Sequence, residues 1–268
     1  CIRDSIYSLL LPNIYESMAL LAPVEEDSSL TGALGNYSGI AALAGISLPT
    51  GSKDSNSVKA IEMMGSLSFF EDTVSPKIFL PDLMAIDYWD NETNTLFYDK
   101  NIFDDKNNSW VRDFSFPNKQ IPSAQESFKI FKEKHLYVVE DKKTGFITLT
   151  IKHQSPYIAK KWVETVVEEI NNFYRQKDKS DSEKTVAYLN EQMLKTNLSE
   201  VKKVTAELLQ REIQKLALVE VNEDYVFEYI YPAIAMEKKS EPSRAFISFM
   251  FAIFGGLLSM FIVLIRHY

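Results

Sequence analysis

Three histidines are the residues best suited to move protons or hold a metal near neutral pH. They are His135, His153 and His267, and none lies in a ligand spacing such as HExxH. His135 and His153 fall at the ends of an expected hairpin, where ordinary exposed histidines are expected. Carboxylates are the other resource. Asp87 and Asp90 flank Tyr88-Trp89, and Asp104 and Asp105 are adjacent. Glycoside hydrolysis uses a carboxyl pair, and aromatic rings beside acids often line sugar sites, so these four acids are the candidate catalytic set. In the competing reading they are turn-forming acids between packed aromatics. Glu168-Glu169 and the run Glu220, Glu223, Asp224 read as solvated faces or helix ends.

Cys1 is the one cysteine, so no disulfide and no cysteine-based metal site can form within the chain. A lipoprotein start is one reading of Cys1. The plainer one is that the sequence begins inside a longer protein, since no initiator Met precedes it. There is no GxxxxGK(S/T) phosphate loop, no GxGxxG following a strand and no GxSxG elbow. The residues therefore point to a protein that is not an enzyme, with no catalytic, cofactor-binding or metal-ligating side chain and no cofactor.

Charge and composition narrow the partners. The net charge is −8 and the pI about 5.1. Nucleic-acid binding needs clustered Lys and Arg on phosphates, so no nucleic-acid partner is expected. No polybasic block marks an anionic lipid surface either. With 46% apolar and 25% charged residues in 268, the composition is that of a globular protein with room for a sizeable core.

The strongest physical signal is the tract at 245–265, AFISFMFAIFGGLLSMFIVLI, 21 residues without a charge. As a helix it reaches roughly 30 Å, the thickness of a bilayer's hydrocarbon core. It is read as a membrane-spanning helix in contact with lipid, followed by a short tail at 266–268. Ser248, Ala252 and Gly256 recur at spacings of four, and Gly255 and Ser259 form a second such pair. Small residues so spaced let another helix approach closely, so these five are the candidate packing positions of the span. Residues 6–11, IYSLLL, read as the last turns of a first span within 1–12, most of which is missing. Arg3 and Asp4 fit that picture poorly, because charge in hydrocarbon is costly.

Between these ends the patterns alternate. Residues 14–23 read as a strand, and 24–57 as a loop or weak helix rich in Gly, Ser, Ala and Asp. Residues 55–64 read as a helix and 76–117 as short elements separated by turns. A short helix follows over 123–131. A hairpin is expected from 135–140 and 146–152, with Gly145 in the left-handed region closing the loop. Ser155-Pro156 starts a helix whose apolar stripe Ile158, Trp162, Val166, Ile170 runs to about residue 177. A second helical pattern covers about 182–219, with Thr196-Asn197 and Ser199 inviting a bend, because such side chains compete for backbone hydrogen bonds. The run YVFEYIY at 225–231 reads as a strand. The expected fold is α+β: a mixed α/β base over 13–244 with a long extended helix, flanked by transmembrane helices.

The order of these features carries a resemblance. LPNIYES (11–17), LLAP (20–23), GIAALAGISL (39–48), WDNETNTLFYD (89–99) and Trp110-Val111-Arg112 resemble segments of the Wzz family of polysaccharide co-polymerases. So do KTGFITLTIKHQSPYIAKKWVETVVEEIN (143–171), VAYLNEQM (186–193) and EYIYPAIAMEKKSEPSRAFI (228–247). Pro242, Ser243 and Arg244 fall on the family's motif before its second span. The resemblance implies a kinase-less chain-length determinant of O-antigen or a related surface polysaccharide. It implies an inner-membrane protein whose main domain is periplasmic, with 266–268 cytoplasmic. It also implies a ring-like homo-oligomer, octameric in the family, acting with a Wzy-type polymerase on undecaprenyl-pyrophosphate-linked polysaccharide. Two alternatives compete: a membrane-tethered sugar-active enzyme built on the acids above, and an envelope adaptor with a helical arm.

Overall fold

The computed structural model describes residues 11–24, 56–221 and 224–267. Cys1, the start of the expected first span and the GIAALAGISL segment lie outside the described residues.

The base is organised by a four-stranded sheet in the order β6-β7-β1-β8, antiparallel throughout. Strand β1 is Tyr15–Pro23, β6 Leu136–Glu140, β7 Ile147–His153 and β8 Phe227–Tyr231. The central pair is the best patterned. In β7 the residues Ile147, Leu149 and Ile151 point to one face and are fully buried, while Thr148 and Thr150 take the other. That alternation is the period-two signature of a sheet with one covered face. The β6–β7 loop closes with Gly145 at φ 74°, a conformation glycine adopts without a Cβ clash.

Before β6 the chain forms α1 (Asn56–Met64), irregular helical turns through Leu67–Phe69, Phe70–Val74 and Ser75–Lys77, and α2 (Leu80–Met84). Two small hairpins follow: β2 (Ile86–Asp90) with β3 (Thr95–Tyr98), and β4 (Phe103–Asp104) with β5 (Ser109–Trp110). Helix α3 (Ala124–Ile130) is capped by Ser123, whose side chain accepts the Glu126 N–H.

Helix α4 (Pro156–Lys195) has 40 residues, about 60 Å at the helical rise. It does not stop near residue 177 as the pattern suggests. The polar run at 178–181 stays helical, with Asp181 ion-paired to Lys177 at 3.7 Å and to Lys184 at 3.6 Å. The break comes at residues 196–198, beyond which α5 (Ser199–Val221) returns. The two helices run antiparallel, since Lys179 pairs with Glu220 at 2.8 Å while Leu189 packs with Val204 and Leu208. The expected helical arm over 182–219, with a bend near 196–199, is a helical hairpin that turns at 196–198 and whose first limb is continuous with the base.

The first half of α4 covers the sheet. Trp162, Val163, Val166, Val167 and Ile170 are buried together with Leu21, Ile147, Leu149, Ile151 and Phe227. Asn171, on the same limb, is also buried, and both ends of its amide bind the neighbouring strand. Its Oδ1 accepts the N–H groups of Val226 and Phe227, each at 2.9 Å, and its Nδ2 donates to the Phe227 carbonyl at 2.9 Å. One side chain thereby fixes the strand that brings the C-terminal third back to β1.

The final helix, α6 (Arg244–His267), keeps helical backbone through the whole apolar tract. Its described apolar side chains are turned outward: Phe246, Phe254, Leu257 and Ile265 are each more than half exposed. Among the described residues no helix is long and apolar enough to cross a membrane. The side chains at 248, 252, 258–262 and 264 are not described. The described structure is thus the expected mixed α/β base with a long helix, followed by α6, while residues 1–10 of the expected first flanking helix lie outside the described residues.

Candidate functional site

The two ends of the base are clipped together. The Ile14 N–H donates to the Glu241 carbonyl at 2.9 Å, and the Ser240 N–H to the Ile14 carbonyl at 2.8 Å. Lys152 on β7 pairs with the Glu241 carboxylate. From the start of α6, Arg244 Nη2 reaches the Leu11 carbonyl at 3.4 Å and Asn13 Oδ1 at 3.2 Å, and Lys239 Nζ donates to the same Asn13 oxygen at 3.0 Å. This places the sequence-predicted Pro242, Ser243 and Arg244: they turn the chain into α6 directly beside the entry to β1. The Ser243 carbonyl accepts the Ile247 N–H at 3.1 Å, opening the helix.

Beside that clip lies a cleft of about 240 Å³. Leu11, Pro12, Asn13 and Tyr15 line it from the chain entering β1, Tyr88, Trp89 and Asn91 from β2 and its turn, and Gln154 from the link between β7 and α4. The Tyr15 and Trp89 rings meet edge to face, with centroids 5.3 Å apart at 80°. The turn after β2 holds Trp89 in place. Asn94 adopts φ 51°, and its Oδ1 accepts the indole N–H at 3.0 Å. Among the described residues no carboxylate, ammonium, guanidinium or imidazole lines it.

A second cleft, of about 390 Å³, lies on the β3 side of the same hairpin and includes Phe79, Asp82, Tyr98, Ser155 and Tyr157. The Tyr98 hydroxyl donates to Asp82 Oδ1 at 2.6 Å. Burial raises the Asp82 carboxyl above its ordinary range, against the lowering effect of that hydrogen bond. Burial and the neighbouring Asp82 raise Tyr98 likewise. The sequence did not single out Asp82, whose raised carboxyl sets it apart from the turn-forming Asp90 and Asp104.

The four candidate acids stand differently. Asp90 accepts the Glu92 N–H at 3.1 Å and the Thr93 hydroxyl at 2.5 Å, and Asp104 accepts from Lys106, Asn107 and the Asn107 amide. Those bonds lower both carboxyls below their usual range, which is the wrong direction for a general acid. Both therefore act as turn formers, while Asp87 and Asp105 are exposed. The aromatic half of the sugar-site pattern is realised in the first cleft, and the acidic half is not.

The histidines correct an expectation. His153 is 1% exposed rather than solvated. It closes β7 beneath Trp162, with ring centroids 4.8 Å apart, and His135 packs on the same indole at 5.5 Å. His153 Nε2–H donates to the Asp82 carbonyl at 3.0 Å, and its Nδ1 accepts the Ser155 N–H at 2.9 Å, just before α4 begins. His135 Nδ1 is bonded to the Lys152 carbonyl at 2.6 Å. Desolvation lowers both rings to about 4. They are neutral wedges in the core. Among the described residues no group of His, Cys, Asp and Glu could hold a metal ion.

Of the candidate helix-packing residues, Gly255 and Gly256 sit on α6 with open space where a Cβ would stand. The side chains of Ser248, Ala252 and Ser259 lie outside the described residues.

No family model matches the sequence, and no curated protein matches it. Among solved structures the chain is similar to a fragment of WzzB, a polysaccharide co-polymerase from Salmonella Typhimurium. The identity is 12% and the TM-score 0.33, over 85% of this chain and 100% of that one. It is also similar to a full-length bacterial polysaccharide co-polymerase, at 12% identity and TM-score 0.33, over 99% of this chain and 90% of that one. Likeness at this distance assigns no residue a role.

Proposed function

We propose that the chain is a membrane-tethered, non-catalytic regulator of the length of a bacterial surface polysaccharide, O-antigen or similar. The motif order that resembles the Wzz family supports this reading. The observation that carries it is geometric: the entry to β1 and the start of α6 are clipped side by side, and α6 leaves that corner with Phe246, Phe249, Phe254, Leu257, Val263 and Ile265 unburied. A helix whose phenylalanines and leucines face outward needs an apolar surrounding, and a bilayer provides it.

On this reading 245–265 spans the bacterial inner membrane, the base over 13–244 lies in the periplasm, and the helical hairpin reaches away from the bilayer. Ser248, Ala252, Gly255, Gly256 and Ser259 give a packing face for a second helix, in this chain or in another copy. Copies assemble side by side into a ring, octameric as in the family, and act with a Wzy-type polymerase on undecaprenyl-pyrophosphate-linked polysaccharide. Control is geometric: the assembly sets how long a growing glycan stays with the polymerase.

The test is genetic. Deleting the gene and resolving the surface polysaccharide by length should replace a modal cluster of chain lengths with a broad, unregulated distribution, and the intact gene should restore it. An unchanged distribution overturns the proposal.

A further inference from the structure

The cleft beside the Asn13 clip has a lining that none of the preceding roles uses. We propose that it is a subsite for a single neutral pyranose ring of a glycan. The first ground is the pair of aromatic rings. Tyr15 and Trp89 meet edge to face at 5.3 Å, and the Asn94 bond to the indole N–H fixes the larger ring before any ligand arrives. A sugar's C–H face packs on such rings, whose faces carry partial negative charge.

The second ground is the polar lining. Asn13, Asn91 and Gln154 bring amide groups from three separate parts of the chain. An amide both donates and accepts, as sugar hydroxyls do, so it suits a hydroxyl-rich ligand better than an ion. Asn13 already spends its Oδ1 on Lys239 and Arg244, which turns its remaining hydrogen-bonding capacity to the donor side. The third ground is that no lining side chain among the described residues is charged, and the neighbouring Lys239 and Arg244 are engaged with the Asn13 oxygen, so a phosphate or a cation has no ionic partner on the cleft wall. The volume, about 240 Å³, falls below the ~300–1,000 Å³ of drug-sized sites and suits one ring rather than an oligosaccharide.

The subsite and the regulator reading fail independently, because one is read by ligand binding and the other by polysaccharide length in cells. The experiment uses the full chain in a zwitterionic detergent, since maltoside and glucoside detergents carry the same ring. The protein holds three tryptophans, Trp89, Trp110 and Trp162. The indole N–H resonance of Trp89, assigned with Trp89→Phe, is followed during titration with glucose, galactose, N-acetylglucosamine and rhamnose. Inorganic phosphate is the control. At least one sugar should shift the Trp89 signal saturably in the millimolar range while the buried Trp162 signal stays still. Asn91→Ala with Gln154→Ala should weaken that binding about tenfold or more, each change removing one hydrogen-bonding group. Tyr157→Ala, in the second cleft, should leave it unchanged. If the double variant fails to fold, Asn91→Ala alone, at an exposed turn position, serves in its place. The proposal is overturned if no sugar shifts the Trp89 signal at up to about 50 mM, a generous ceiling for a single-ring ligand. It is equally overturned if phosphate competes, or if the amide variants bind as the parent does.

Discussion

One helix passes through two environments. The first half of α4 buries Trp162, Val163, Val166, Val167 and Ile170 in a core that includes most of the large buried side chains. The second half, with α5, encloses a much smaller cluster of Leu189, Val204 and Leu208. Beyond that cluster the exposed Lys179–Glu220 ion pair links the two limbs, and the tip leaves Leu194 and Leu198 in solvent. The same secondary structure is thus supported by burial in one place and by helix–helix pairing in the other. Folding stability belongs to the base, and the hairpin is free to present surface.

Substitutions measure this difference directly. Trp162→Ala should cost about 4 kcal/mol, because the indole holds both histidines and the face of β7. A loss under about 1 kcal/mol in chemical denaturation would break the contrast. Asn171→Ala should cost about 3 kcal/mol by leaving backbone groups of Val226 and Phe227 buried and unpaired. Amide exchange should place that loss at Val226 and Phe227 first.

Acid sharpens the contrast further. His135 and His153 have folded pKa values of about 4, below the ordinary 6.5. Their neutral forms favour the fold, so this contribution is complete above pH 6.5 and disappears as the pH falls toward 4. The near-ultraviolet signal of Trp162 should be lost in that window. Preservation of the signal down to pH 4 would remove the histidines from the base's stability.

Leu189→Ala should cost about 2 kcal/mol and speed amide exchange only in the hairpin, leaving the Trp162 environment intact. Loosening of the base by that change would show that the two regions form one cooperative unit. Lys179→Ala, which removes an exposed ion pair with Glu220, should leave the melting temperature unchanged.

Much of the base was legible because its signals are local. The alternation of Ile147, Leu149 and Ile151, the glycine at 145 and the Pro156 start all depend on neighbours a few residues away. The bend near 196–198 was equally local, since Thr196 and Asn197 compete with helix bonding. What escaped depends on distant partners. A strand-end histidine looks solvated until Trp162, nine residues later, folds over it. The run at 178–181 looks like a break until Asp181 finds Lys177 and Lys184. In the sugar-like cleft Tyr88 and Trp89 stood out as aromatics. Asn13 and Gln154 did not, because only the β1–β7 pairing brings them near. The acids beside those aromatics drew attention for chemistry they do not perform, since Asp90 and Asp104 are used up within their own turns.

The uninterrupted first limb also has a mechanical consequence. With no break between Pro156 and Lys195, the half beyond the sheet is an arm of about 30 Å, and a tilt of about 5° at the sheet moves the far end by roughly 3 Å. A load applied at the tip is thereby carried along one helix to the strands beside the Asn13 clip, and a slight rocking there is magnified at the other end.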